Sequence, residues 1–302
     1  MKVLSFNIQS ILKGKKDLLD CYLEKEKIDV GCFQETWLQP QYSCRLRNYE
    51  VIRKDRAEQS RGGILICIKK PLMFQKLDIE EIASSKIEMV ACQVFLGKKD
   101  TIVIVNVYNP DGNEPQTEDI FNKVIKGKEP FIITDDFNAH SDALCLCGSH
   151  NHSGIGILSA LDKNDDIGLV TPLGLQTRRN PITGVYSTID LAFSAATIIN
   201  QLNISLTPEP TLTSDHEPVI IEYKEFIPRN QTPPTHPTFK LKKVNWNYFQ
   251  EELTKISLEE ELAAVTTTEK EIERLQDLLL EVAKKTIPIK TLGSKTRNEP
   301  VW

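Results

Sequence analysis

The chain of 302 residues is 40% hydrophobic and 26% charged, with a formal net charge of -5. This composition provides for a substantial core and excludes a chain disordered throughout, and the acidic balance excludes a protein that grips nucleic acid by bulk positive charge. A nucleic-acid substrate stays open if the cations are local, with Arg61, Lys69, Lys70, Arg178 and Arg179 as candidates, because carboxylates that gather around a metal themselves lower the net charge. Seven cysteines, with Cys32, Cys67 and Cys92 in apolar runs, read as reduced buried thiols rather than a disulfide framework. Met1 runs straight into a strand and no stretch has bilayer length, so an intracellular protein with no membrane partner is expected.

In chain order, residues 3–8 read as a strand, Lys16 to Lys27 as an amphipathic helix with Leu18, Leu19, Tyr22 and Leu23 on one face, and Ile28 to Phe33 as a buried strand ending in Gln34-Glu35-Thr36-Trp37. Arg61-Gly62-Gly63 is a flexible entry into the strand 64–71, and residues 87–96 and 101–108 form a hairpin. A helix around 117–126 leads into Phe131-Ile132-Ile133-Thr134-Asp135-Asp136-Phe137-Asn138-Ala139-His140, an apolar run that stops abruptly in acids, an amide and an imidazole. A further helix spans Gly156 to Asp165, Tyr186 to Phe193 is β, and Ser214-Asp215-His216 precedes the strand Val219 to Tyr223. Strands interleave with and outnumber helices, which predicts an α/β sandwich of two mixed sheets with helices outside. One large domain over residues 1–225 is expected, followed by a Pro-rich linker (226–243) and a helical segment (244–302).

Turn chemistry accounts for any one polar strand end, but not for several. Glu35, Asp136, Asp190 and Asp215, with Asn7, Asn138 and His216, form a set of hard donors suited to Mg²⁺, which binds through one or two carboxylates and keeps waters for phosphate. Zinc is less suited: Cys145, Cys147, His150 and His152 fall within eight residues, too tight for a structural site, and read as a surface loop. Serine catalysis through Ser214-Asp215-His216 is disfavoured because adjacent residues of an extended chain face opposite ways; Asp190 is the better partner for His216.

The ordered blocks Leu4-Ser5-Phe6-Asn7, Gln34-Glu35-Thr36-Trp37-Leu38, Arg61-Gly62-Gly63, Val107-Tyr108-Asn109-Pro110, Asp136-Phe137-Asn138-Ala139-His140, Ser187-Thr188-Ile189-Asp190-Leu191 and Ser214-Asp215-His216 resemble the endonuclease/exonuclease/phosphatase superfamily, the DNase I-like fold. Within it they look most like the apurinic-type endonuclease domain of non-LTR (LINE-type) retrotransposons. Phe239 to Trp246 and Pro300-Val301-Trp302 resemble the connector that leads into the reverse transcriptase of such elements.

The resemblance implies a four-layer sandwich and a Mg²⁺-dependent (or Mn²⁺-dependent) DNA endonuclease whose nick leaves a 3′-hydroxyl to prime reverse transcription. Element RNA would be reached through the polymerase. By position, Asn7 and Glu35 would hold the metal with Asp215 nearby, and Asp136 and Asn138 would activate water. Tyr108 would contact the scissile phosphate, and His216, held by Asp190, would stabilise its charge. Two positions depart from the family pattern. Gln9 stands where an acid is common, and Asp135 stands where the family has glycine, so it either points clear of the site or, if the strand has turned, repels phosphate and raises the pKa of Asp136. A phosphatase or lipid phosphodiesterase of the same fold, or an inactive transposon remnant, are the alternative readings.

Overall fold

The computed structural model describes residues 1–12, 14–56, 61–79, 85–97, 100–114, 116–125, 129–145, 149–224, 244–257 and 268–287. The chain divides into two compact units, Met1–Ile227 and Pro228–Trp302.

The first unit contains two six-stranded sheets. One has the order β13 (Leu202–Leu206), β14 (Val219–Tyr223), β1 (Lys2–Asn7), β2 (Val30–Gln34), β4 (Ile64–Lys69), β3 (Tyr49–Lys54). The other has the order β5 (Met73–Leu77), β6 (Glu88–Phe95), β7 (Thr101–Tyr108), β8 (Phe131–Asp136), β12 (Asp190–Ala195), β9 (Ile167–Leu169). A separate ribbon pairs β10 (Arg178–Arg179) with β11 (Tyr186–Ser187).

Each sheet has one parallel pair at its centre, β1 with β2 and β7 with β8. Parallel neighbours need a crossover, supplied by α1 (Lys15–Lys25) in the first case and α2 (Thr117–Ile125) in the second. The C-terminal ends of four central strands therefore emerge together, carrying Asn7, Gln34, Tyr108 and Asp136. Antiparallel β12 starts at the same edge, with Asp190 in register with Asp136.

Period-two alternation sorts the side chains. Ile64, Ile66 and Ile68 of β4 join Val30 and Cys32 against Val90, Cys92, Ile104 and Ile132 of the facing sheet, while Leu65 and Cys67 turn outward beneath Leu19 and Leu23 of α1. On the far side, Phe121 of α2 meets Phe193 edge-on at 5.0 Å and stacks on Phe137 at 6.0 Å. Near it lies α4 (His152–Lys163), preceded by the short α3 (Asp142–Cys145). The layers are thus α1, sheet, sheet, α2 with α4, as expected. Leu18 departs from expectation: it is exposed, and Leu19, Tyr22 and Leu23 form the buried face.

A polar tie joins the two sheets just below the convergent edge. Gln34 Nε2 donates to Asn106 Oδ1 at 2.7 Å, and Asn106 Nδ2 donates to the Phe33 and Leu65 carbonyls, both at 3.0 Å. Asn106→Leu strands these groups in a dry core, and urea unfolding is expected to show a loss of about 2–4 kcal/mol.

Among the described cysteines, five are free thiols and Cys145 is disulfide-bonded. No helix among the described residues is long and apolar enough to cross a membrane. The linker expected at 226–243 and the final Pro300-Val301-Trp302 lie outside the described residues. In the second unit, α5 (Trp246–Thr254) and α6 (Thr268–Thr286) pack together, and Glu252 of α5 accepts from Lys255 and from Lys285 of α6.

Candidate active site

The polar groups at the edge of the sandwich meet. Asn7 Nδ2 lies between two acids, donating to Asp136 Oδ2 at 2.8 Å and to Glu35 Oε1 at 3.2 Å. Tyr108 Oη donates to the same Glu35 Oε1 at 2.9 Å, and Trp37 Nε1 donates to Oε2 at 3.0 Å. Burial, with Glu35 and Asp136 beside it, pushes the Tyr108 phenol up, so it stays protonated and donates. The backbone here is strained, with Glu35 at φ 51°, Trp37 at φ 55° and Asn138 at φ 45°.

Asn138 is fixed by both ends of its residue: its N–H donates to Asp136 Oδ1 at 3.1 Å and its Nδ2 to the Asn109 carbonyl at 2.8 Å. A residue absent from the sequence motifs, Asn151, secures this loop. Its Nδ2 donates to the Asn138 carbonyl at 2.6 Å, and its Oδ1 accepts from His140 N and caps α4 through Gly154 N, both at 2.9 Å. That cap starts α4 four residues before the expected Gly156. Gly154 is required by close approach, since a Cβ there would lie 2.2 Å from the His140 carbonyl oxygen. Asn before a small-residue helix start is the one sequence signal for Asn151, and that signal marks a helix cap rather than a site residue.

His216 is buried with Nδ1 between the Asp190 oxygens at 2.8 and 2.9 Å, and Nε2 faces Asp215 Oδ1 at 3.7 Å and Asp136 Oδ2 at 3.9 Å. Thr177 Oγ1 accepts from Ile189 N and Asp190 N and so sets the start of β12. Burial alone would lower the imidazole's pKa, but Asp190, Asp136 and Asp215 raise it to about 9, leaving His216 charged at neutral pH. Burial raises Asp136, against the opposing His216 charge and the Asn7 hydrogen bond. A step that needs the imidazolium is expected to fail as pH rises through about 9, and Asp190→Asn should move that alkaline limb to lower pH in a pH–rate profile.

Asp215 is held by Arg178 Nε at 2.9 Å and by the Gln9 side-chain amide. Gln9 thus serves as a donor that aims Asp215. A groove of about 670 Å³ opens here, lined by Gln9, Arg179, Asn180, Ser214, Asp215 and His216. Of the expected local cations, Arg179 lines this groove, Arg178 pairs with Asp215 at 2.9 Å, and Arg61 sits over the Trp37 ring at 5.6 Å. Lys69 and Lys70 lie at the opposite end of the sheet: Lys69 N donates to the Asp29 carbonyl before β2, and Lys70 pairs with Glu50.

The strand has not turned at Asp135. Its register partners are Val107 and Leu191, on the face toward α2 and α4, away from Asp136. The carboxyl is fully buried and neither oxygen has a hydrogen-bond partner. Burial, then the Asp136 and Asp190 charges, push its pKa far above the usual range, so Asp135 is a neutral acid in the core. Repulsion of phosphate by Asp135 is therefore set aside.

The donor set fits a hard divalent cation. The acid trio Asp136, Asp190 and His216 has ligand atoms within 4.8 Å, but its imidazole is already engaged by Asp190. The Glu35 and Asp136 carboxylates supply oxygen without sulfur, as such an ion requires; the Asn7 amide between them presents Nδ2 to both while its Oδ1 accepts from Gln9 N at 3.3 Å, so it would offer oxygen to an ion with the amide turned over. Cys145 is in a disulfide and His150 faces Asp142 at 3.7 Å, while Cys147 lies outside the described residues; among the described residues the loop contributes to no cluster of metal-ligating side chains.

Two mixed six-stranded sheets between helical layers, with this constellation at one edge, give the chain a DNase I-like fold, which it shares with the solved nuclease structures below. A family model described as endonuclease-reverse transcriptase matches residues 102–220. Among solved structures, the chain is similar to the endonuclease domain of TRAS1, a telomere-specific non-LTR retrotransposon, at 15% identity over 76% of this chain and 99% of that one, with a TM-score of 0.57. It is also similar to an AP endonuclease from Archaeoglobus fulgidus (16% identity, 74% of this chain and 99% of that one, TM-score 0.56). A third is AP endonuclease LMAP from Leishmania major (16% identity, 73% of this chain and 86% of that one, TM-score 0.57). No curated protein matches.

Proposed function

We propose that the chain is a Mg²⁺-dependent DNA endonuclease of a non-LTR retrotransposon, nicking target DNA to leave a 3′-hydroxyl that primes reverse transcription. Residues 226–243 would be the linker and 244–302 the connector toward a reverse transcriptase, which would bring the element RNA. The observation that carries this reading is the meeting of Asn7, Glu35, Tyr108, Asp136, Asn138, Asp190 and His216 at one edge, within a chain whose residues 102–220 match an endonuclease-reverse transcriptase model.

Glu35 and Asn7 would hold the ion, with Asp215 close by, and a bound Mg²⁺ would neutralise developing charge on the phosphate. The remaining work falls to side chains. Asp136 accepts a proton from the attacking water, which Asn138 Oδ1 orients; a carboxylate whose pKa is raised toward neutrality suits a general base. Water oxygen bonds to phosphorus as the bond to the 3′ oxygen breaks, and that oxygen departs and takes a proton from solvent water to become the 3′-hydroxyl. With Glu35 engaged by the ion, the Tyr108 hydroxyl would turn its single donor from Glu35 toward a non-bridging oxygen, and the His216 imidazolium, held by Asp190, offsets charge accumulating there.

The product is the test. Nicks made in supercoiled plasmid are expected to be extended by a DNA polymerase without prior treatment. Nicks that require phosphatase treatment before extension, or turnover of inositol phosphates with no action on DNA, would overturn the proposal in favour of different chemistry or a different substrate.

A further inference from the structure

We infer that Glu88 is a positioning residue that sets the Glu35 carboxylate and the Tyr108 hydroxyl from behind the cleft. The inference rests on the endonuclease reading and extends it to a residue in none of the motif blocks.

Glu88 opens β6, in register with Tyr108, and is 6% exposed. A carboxylate in such a place is destabilising unless its oxygens are paired, and apolar residues would pack there more favourably. Both oxygens are paired, with different partners. Oε1 accepts from Arg56 Nε at 2.6 Å, and Oε2 accepts from Gly63 N at 2.8 Å.

The two limbs return to the same carboxylate. In one, the Arg56 guanidinium lies over the Tyr108 ring at 5.9 Å, and the Tyr108 hydroxyl donates to Glu35 Oε1. In the other, the Gly63 carbonyl accepts from Thr36 N at 3.0 Å and the Gly62 carbonyl from Trp37 N at 2.9 Å, which presents the Trp37 indole to Glu35 Oε2. Gly63 adopts φ 84°, and a Cβ there would lie 2.8 Å from Thr36 Oγ1, so the limb has no room for another residue. The strained φ values of Glu35 and Trp37 need such support, because a left-handed backbone at bulky residues persists only where its surroundings over-determine it. Arg61-Gly62-Gly63 thereby acquires a role: its backbone brackets the loop that carries Glu35.

Glu88→Gln keeps the size and one acceptor but removes the charge that holds Arg56. Arg56→Met breaks the other side of the same pair from a more exposed position. Each is expected to weaken Mn²⁺ binding, read by electron paramagnetic resonance, about tenfold, and to raise the half-saturating Mg²⁺ for plasmid nicking by a similar factor. The double variant should be no worse than either single one, because both cut one network. A role confined to stability predicts a lower melting temperature with unchanged metal response, and that result overturns the inference. Unchanged metal response in both variants beside normal wild-type nicking overturns it alone. A wild-type chain that neither binds Mn²⁺ nor nicks overturns it together with the endonuclease reading.

Discussion

Asp136→Asn is expected to slow nicking of supercoiled plasmid by about 10³-fold, within the range found when a positioned general base is removed. The substitution is nearly isosteric and leaves an oxygen to accept from Asn138 N–H, so the loop should keep its shape. It removes the proton acceptor and one of the charges that keep His216 protonated, so the alkaline limb should also move down. Stability should change little, because removal of a buried charge is set against loss of the Asn7 Nδ2 hydrogen bond, whose acceptor becomes an amide nitrogen. A gel nicking assay beside thermal unfolding separates these effects. Activity within tenfold of wild type would remove Asp136 from the water-activating role.

Asp135→Ala is expected to stabilise the protein by about 1–3 kcal/mol near pH 4, and by more at neutral pH, because it deletes a fully buried carboxyl with no hydrogen-bond partner for either oxygen. The sign of the pH dependence follows from the raised pKa. Below about 4, the unfolded carboxyl pKa, both states carry the proton and the neutral acid costs least. As pH rises, the unfolded chain releases the proton while the folded chain retains it, and stability falls by up to about 1.4 kcal/mol per pH unit. The advantage of Asp135→Ala in urea unfolding should therefore grow as pH rises above about 5. An advantage independent of pH would mean that Asp135 is not held neutral. Nicking should be retained, because Asp135 lies on the face away from Asp136.

The central strands were legible in the sequence because burial on both faces gives continuous apolar runs. Of the strands that were not, β3, β5, β9 and β13 are the four edges of the six-stranded sheets, and β10 is two residues of a separate ribbon. Edge strands are half-solvated: β5 exposes Met73, and β13 alternates partly buried and exposed positions, which leaves little periodic signal. At the site, Glu35, Asp136, Asp190 and His216 could be proposed because acids and imidazole at strand ends exceed what turns need. Asn151, Thr177 and Glu88 could not, because their work is to aim other groups across long sequence separations, and each alone reads as an ordinary capping or surface residue. Asp135 shows the reverse. It reads as part of the polar cluster, and only strand register assigns it to the core.

The most direct measurement is nicking of supercoiled plasmid as a function of Mg²⁺ by the wild-type chain beside Glu35→Ala and His216→Ala. If the groups that meet at the edge of the sandwich form one nuclease site, the wild type nicks only with the ion present, and each substitution lowers the rate by at least about 10²-fold in a folded protein. Nicking that survives both substitutions would contradict the assignment of that site.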